Sequence, residues 1–424
     1  MHTIELPYKP EIVIAGGGTA GSAAAIAAAR RGHSVLLVEE ANALGGVSTT
    51  GGVNEWFANL EGLGDIWERL KTELNRYGAQ FGRFYNPEYA KIAWQLMAEE
   101  AGVNILFHAS IVDAEVADEV VTSVRGVAAS HFFDCERAVF IDATGEGDLA
   151  WLAGAEVMQG HPESGRTLHM SLTFILQDTG SPVTPYLPAG LEPIESQDDL
   201  PGLHGGKLLP DGRVYCNMTK VMGHDPTDPV SLSDAERLAR RQIARIVHYL
   251  QRTRFPTFAL CTSGARIGIR EGRRVVGDII LSEADITGNL PRDFDDGVTV
   301  ATCQIDFHSL TRPGHGGWRQ RVEPYAIPYR ALTVRGLKNL LVAGKCISGD
   351  QVAQSSYRMT PTCCAMGHAA GTAAAMAVEA GVPDVRQIDI ATLRQALVED
   401  GLVLDPVKHQ AFAPELSPDP TKGA

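Results

Sequence analysis

No stretch of this 424-residue chain is apolar for long enough to cross a bilayer, which takes about 20 consecutive apolar residues. Its opening, MHTIELPYKP, has no basic region followed by a hydrophobic one, so no export is expected and cytoplasmic residence is the expectation. The cysteines Cys135, Cys216, Cys261, Cys303, Cys346, Cys363 and Cys364 contain no CxxC spacing, which argues against zinc and iron–sulfur sites, and no metal is expected. Cys363 and Cys364 are adjacent, but neighbours on a helix point about 100° apart, so packing is favoured over a redox pair. An odd count fits a reducing compartment. Positive charge is in deficit: 37 Lys and Arg face 51 Asp and Glu, a net charge of −14. Clustered cations are what a phosphate backbone needs, so no nucleic-acid partner is expected. Aromatic residues make up only 7%, and no repeat period is apparent. What remains is a chain with 44% hydrophobic and 21% charged residues, an ordinary globular composition with room for two domains.

Glycine is placed where it matters most. Ile12 to Ala15 form a short apolar run leading into GGGTAG and then the small-residue segment SAAAIAAARRG. Gly16, Gly18 and Gly21 have the spacing of a dinucleotide fingerprint, with Thr19 and Ala20 in the same turn. Gly16 lets the chain reverse, Gly18 lets backbone N–H groups approach a pyrophosphate at the positive end of a helix, and Gly21 lets helix and strand pack closely. SVLLV forms a second strand ending at Glu39, twenty-three positions after Gly16. A carboxylate there accepts hydrogen bonds from an adenosine ribose, and Glu40 follows it. These residues alone specify a dinucleotide and leave a nicotinamide-binding domain as an alternative. A third strand, VFIDATGEGDLA, ends in Asp142, Ala143, Thr144 and Gly145. NLLVAG (339–344) is a fourth, followed by the polar loop KCISGD and by TPTCCAMGHAAGTAAAMAVEAG. In that last segment Thr360 is the expected N-cap and Pro361 the first helical residue.

The chain resembles FAD-dependent oxidoreductases of the two-dinucleotide-domain type, related to the fumarate reductase and succinate dehydrogenase flavoproteins. The resemblance runs through these segments and through ARIGIREGRRVVGD (265–278), AIPYRAL (326–332) and SSYRMTPTCCAMGHAAG. It implies an α/β fold: a Rossmann-like FAD-binding domain of glutathione-reductase type with an inserted α+β substrate or cap domain. Residues 1–155 are expected to form the first part of the FAD domain, 156–335 the cap, 336–385 the return to the FAD domain, and 386–424 a helix and a disordered tail, ELSPDPTKGA. The C-terminal return has no evident use in a nicotinamide dehydrogenase. The cofactor residues it implies, beyond those already named, are Gly45, Gly46, Ser48, Thr49 and Thr50 in a loop along the cofactor, Ala109, Asp148, and Gly344, Asp350, Gly367 and Ala370 near the C-terminal helix. That loop has no histidine of the kind that bears flavin in covalent members, so FAD is expected to be held noncovalently.

Patterning fills in the remainder. NPEYAKIAWQLMAEEA (86–101) has helical spacing, and VNILFHAS, IVDAEVADEVVTSVRGVAA and HFFDCERAVFIDA are expected to return to the sheet as strands and hairpins. SDAERLARRQIARIVHYLQRTR is a basic amphipathic helix whose arginines suit a solvated or interdomain face. Five residues are candidates for the chemistry. Asn54 and Trp56 lie in the loop that the resemblance places beside the isoalloxazine, although Trp56 equally suits core filling. His308 ends an apolar alternation and is the leading proton acceptor, with a structurally satisfied histidine as the alternative. His315, in a glycine-rich turn, is a weaker candidate. Arg358, just before the C-terminal helix, suits a carboxylate clamp or stabilisation of negative charge on a reduced flavin; its alternative is a structural pairing with a carbonyl or an acid. Arg270, Glu271 and Arg274 read as an interdomain ion network. The expected activity is hydride transfer between a small polar metabolite, an alcohol or a carboxylic acid, and FAD, with an unspecified electron acceptor and a possible homo-oligomer. Reduction of an activated double bond, as in fumarate reductases, and flavin-dependent RNA modification are the alternatives.

Overall fold

The computed structural model describes residues 2–136, 138–202, 206–288, 293–312 and 317–410. His315 and the tail from 411 onward lie outside the described residues. Five short strands, Leu340–Val342, Val139–Asp142, Ile12–Ala15, Val35–Glu39 and Asn104–Phe107, lie side by side in that order, all parallel. Four of the five are wholly buried, which explains why they read as continuous rather than alternating apolar runs. Numbered along the chain, the order is 3-2-1-4-5. In such open sheets ligands bind outside the carboxyl ends of the strands, where the order reverses beside the first strand.

The helix Thr19–Ala29 follows the first strand and is buried on every side. It lies between the sheet and the helix Thr360–Ala380, whose Gly367 and Gly371 pack onto the backbone of Ala20 and Ala24; a Cβ on either glycine would overlap a carbonyl oxygen. Met359, not Thr360, is the N-cap of this second helix, and Thr360 and Pro361 occupy its first turn. The loop expected before it also contains a separate helix, Gln351–Tyr357, capped by Asp350, whose side chain accepts from Ala353 N at 2.7 Å. The strands Ala109–Ala117, Val120–Ala128 and His131–Glu136 do not rejoin the parallel sheet. They form an antiparallel meander of their own, edged by His2–Thr3. Period-two patterning specifies a strand but not its partner.

Between the fourth and fifth strands of the parallel sheet, counted along the chain, lies an antiparallel sheet with its own core: Lys207–Leu208, Arg213–Cys216, Phe174–Asp178 and Phe258–Ser263. The helix Pro229–Arg252 packs against this core with Ala235, Ala239, Ile243, Ile246 and Leu250, a helical spacing. On its outer side Arg237, Arg240 and Arg252 pair with Asp234, Glu236 and Glu195, as expected of a solvated face. The buried Glu271–Arg274 pair ties segments together: Glu271 accepts from Leu168 N at 2.7 Å and Gln351 Nε2 at 2.6 Å, and Arg274 Nε donates to Gly349 O at 3.0 Å. That arrangement matches the expected ion network for these two residues, but not for Arg270.

Candidate functional site

A cavity opens at the carboxyl ends of the parallel strands. Ala15 and Gly16 enter it from the first strand, Val38, Glu39 and Glu40 from the second, Ala143 to Glu146 after the fourth, and Ala343 to Lys345 after the fifth. Gly16 has a φ of 94°, which favours glycine, and a Cβ there would run into the backbone of Ala143 and Thr144. Gly18 differs. Its φ of −61° and ψ of −179° suit any residue, and a Cβ on it would meet no protein atom within 4 Å. Nothing in the chain itself requires glycine at this N-cap, and the absence of a Cβ leaves the space above the helix N-terminus open.

Glu39 is buried. One of its oxygens accepts from Gly17 N at 2.6 Å and the other from Ala41 N at 2.7 Å, holding the carboxylate at the strand end. Burial raises its pKa, while those backbone bonds and the Arg266 charge oppose the rise. Thr19 Oγ1 and Ser48 Oγ lie 3.1 Å apart, and Ser48 Oγ donates to Thr360 Oγ1 at 3.4 Å, linking the three segments beside the cavity.

Of the expected cofactor residues, Gly16, Gly18, Thr19, Ala20, Glu39, Glu40, Gly45, Gly46, Thr50, Ala109, Ala143, Thr144, Gly145, Asp148, Gly344 and Thr360 line the cavity, and Arg358 joins them. Others stand behind the wall. Gly21 serves the close contact of helix and strand, where a Cβ would overlap the Gly16 carbonyl. Thr49 Oγ1 donates to Leu44 O at 2.6 Å, bracing the loop. Gly367 and Ala370 serve helix packing, and Asp350 is a helix cap. Trp56 sits in an aromatic stack with Tyr85 and Trp67, its centroid 4.4 and 4.7 Å from theirs, which is the core-filling alternative. Asn54 is wholly buried and neither polar atom of its amide has a partner among the described residues. The sequence reading missed Arg266, which pairs with Glu40, and Lys345, which pairs with Glu146 at 2.5 Å. Lys345 directly follows the strand-ending glycine, a position that could have flagged it; Arg266 left no local signal.

Beyond Arg358 the wall becomes polar. Asp306 accepts from His308 Nε2 at 2.9 Å and from Arg358 Nη2 at 3.2 Å, and it also pairs with Arg319 at 3.2 Å. His308 does not line the cavity; it is connected to it through the carboxylate it shares with Arg358. Burial works to raise the Asp306 pKa, but the His308 hydrogen bond and the surrounding cations hold it far below the usual range. Desolvation pulls His308 down to about 4, aided by Arg270 and Arg358 and opposed by Asp306. His308 is therefore a neutral imidazole near pH 7. Because ionised Asp306 takes the proton-bearing Nε2, the lone pair is on Nδ1. The ring of His169 meets that of His308 edge to face, with centroids 4.6 Å apart.

A family model described as FAD dependent oxidoreductase matches residues 11–397. No curated protein matches the chain. Among solved structures, an anhydrotetracycline hydroxylase from Streptomyces rimosus aligns over 96% of this chain and 71% of its own, with 12% identity and a TM-score of 0.45. For a geranylgeranyl bacteriochlorophyll reductase-like protein from Thermoplasma acidophilum the figures are 96%, 88%, 12% and 0.42. For a flavin-dependent brominase they are 92%, 83%, 13% and 0.43.

Proposed function

Because the chain belongs to the FAD-dependent oxidoreductase family, and is thus an enzyme whose cofactor is FAD, we propose that it moves a hydride between a small polar metabolite and noncovalently held FAD. The reading rests on Asp306 gripping both His308 and the cavity-lining Arg358. In this reading residues 1–155 and 336–385 form a Rossmann-like FAD domain of glutathione-reductase type, and 156–335 an inserted substrate domain. The glycine turn at 16–21 takes the pyrophosphate and Glu39 the ribose. When bound, FAD supplies the two-electron acceptor or donor. The chain supplies the rest: His308 Nδ1 takes the proton of a substrate hydroxyl, ionised Asp306 keeps the imidazole in the tautomer that can do so, and Arg358 orients a substrate oxygen at the cavity wall.

The test is anaerobic bleaching of the FAD-loaded protein by a panel of small alcohols and hydroxy acids. At least one should bleach the flavin, and His308→Ala should slow bleaching roughly 100-fold with flavin content unchanged. A base works in its neutral form, so the rate should be flat near pH 7 and fall as pH drops through about 4. Arg358→Gln should move that fall to higher pH, since the guanidinium lowers the histidine pKa. Bleaching at the parent rate by His308→Ala, or by no member of the panel, would overturn the reading.

A further inference from the structure

Deepening that reading, and resting on it, we propose that the inner end of the site binds the carboxylate of a small organic acid between Arg270 and Arg358. Arg270 is held in place by neutral groups only: Nη1 donates to Ser171 Oγ at 2.7 Å and to His169 O at 3.3 Å, and Gln354 Nε2 holds its carbonyl at 2.8 Å. No described carboxylate pairs with it. The acid whose charge acts on it, Asp306, is already shared by His308, Arg319 and Arg358. Desolvation, with repulsion from the nearby Arg358 guanidinium, brings Arg270 down to about 10. Two such cations against one shared carboxylate leave a positive excess in a partly buried place, where an uncompensated charge is costly.

Unused polar atoms converge on the same place. Arg358 Nε, His169 Nδ1 and the Tyr215 hydroxyl are buried without a hydrogen-bond partner among the described residues, and the Arg270 charge acts on both His169 and Tyr215. Buried polar groups of a folded protein are normally satisfied, so a group of orphans around an unpaired guanidinium is a recognition surface. Its complement is a planar monoanion with two acceptor oxygens, which a guanidinium fork engages bidentately. A substrate anchored so has its remaining atoms beside Arg358 and the His308–Asp306 pair.

The FAD-loaded protein titrated with acetate, propionate and lactate, and with the amides of the same acids, gives a direct test, read by perturbation of flavin absorbance and by thermal shift. Each acid should bind at least tenfold more tightly than its amide. Arg270→Gln should abolish the preference while leaving flavin content unchanged, and Arg270→Lys should restore part of it. Equal binding of acid and amide, inorganic phosphate binding more tightly than every carboxylate, or an unaltered preference in Arg270→Gln would overturn the inference. The comparison of acid with amide on the parent protein decides the matter even if the variant does not fold. Bleaching by uncharged metabolites alone would remove this inference and leave the redox reading standing, whereas a protein that holds no FAD would end the redox reading itself.

Discussion

Gly18 and Gly21 stand three positions apart and are glycines for opposite reasons. A Cβ on Gly21 would strike the chain's own backbone at Gly16, whereas a Cβ on Gly18 would meet no protein atom. Gly18→Val is therefore expected to fold with the stability of the cofactor-free parent and to retain almost no FAD. The ratio of flavin to protein absorbance and melting of both proteins without FAD check this; the comparison must be cofactor-free because a bound ligand itself raises stability. Full flavin occupancy in the variant would show that the turn faces something else. Glu39 was legible for the same reason as the glycines: a fixed offset from the turn places it at the end of the neighbouring strand. Trp56 was not, because a tryptophan suits an aromatic stack and a cofactor wall equally well, and only its contacts with Tyr85 and Trp67 distinguish them.

The element that depends most on small residues is the pair Thr19–Ala29 and Thr360–Ala380. Gly367 and Gly371 are spaced by four, one helical turn, and face Ala20 and Ala24, which are spaced identically. Gly367→Val should lower stability by about 3 kcal/mol in urea unfolding of the cofactor-free protein, the upper end for overpacking where backbone rather than side chain must yield. An unchanged unfolding midpoint would mean that the helices can separate freely. The alanine-rich composition of both helices was plain in the sequence, and it predicted close approach. It did not say that the approach was to another helix rather than to the cofactor, because small side chains permit both. The helix Gln351–Tyr357 escaped notice because seven residues carry too little periodicity, although Asp350 is an ordinary N-cap residue.

At the scale of the whole molecule, Asp400 closes the C-terminal segment onto the first and last helices of the parallel-sheet layer. Its Oδ2 accepts from Arg31 Nη2 at 2.5 Å and from His368 Nε2 at 3.0 Å. Burial would raise its pKa, but these two hydrogen bonds and the Arg31 charge outweigh burial and hold it down to about 2. A depressed carboxylate contributes stability that is complete above its unfolded value near 4 and is lost as pH falls through about 2. Asp400→Asn should thus cost about 2 kcal/mol at pH 7 and almost nothing at pH 2, measured by denaturant unfolding at both values. An equal loss at both would assign Asp400 to packing instead. The strands of the parallel sheet, the glycine turn and the place of Glu39 at a strand end were determined by the sequence alone, since apolar runs, steric demands and capping act over a few residues. Which side chains meet around the substrate end was decided only by the tertiary structure. Arg270 reaches His169 across 101 positions and Arg358 reaches Asp306 across 52, separations at which no local pattern constrains the partner and packing of whole segments selects it.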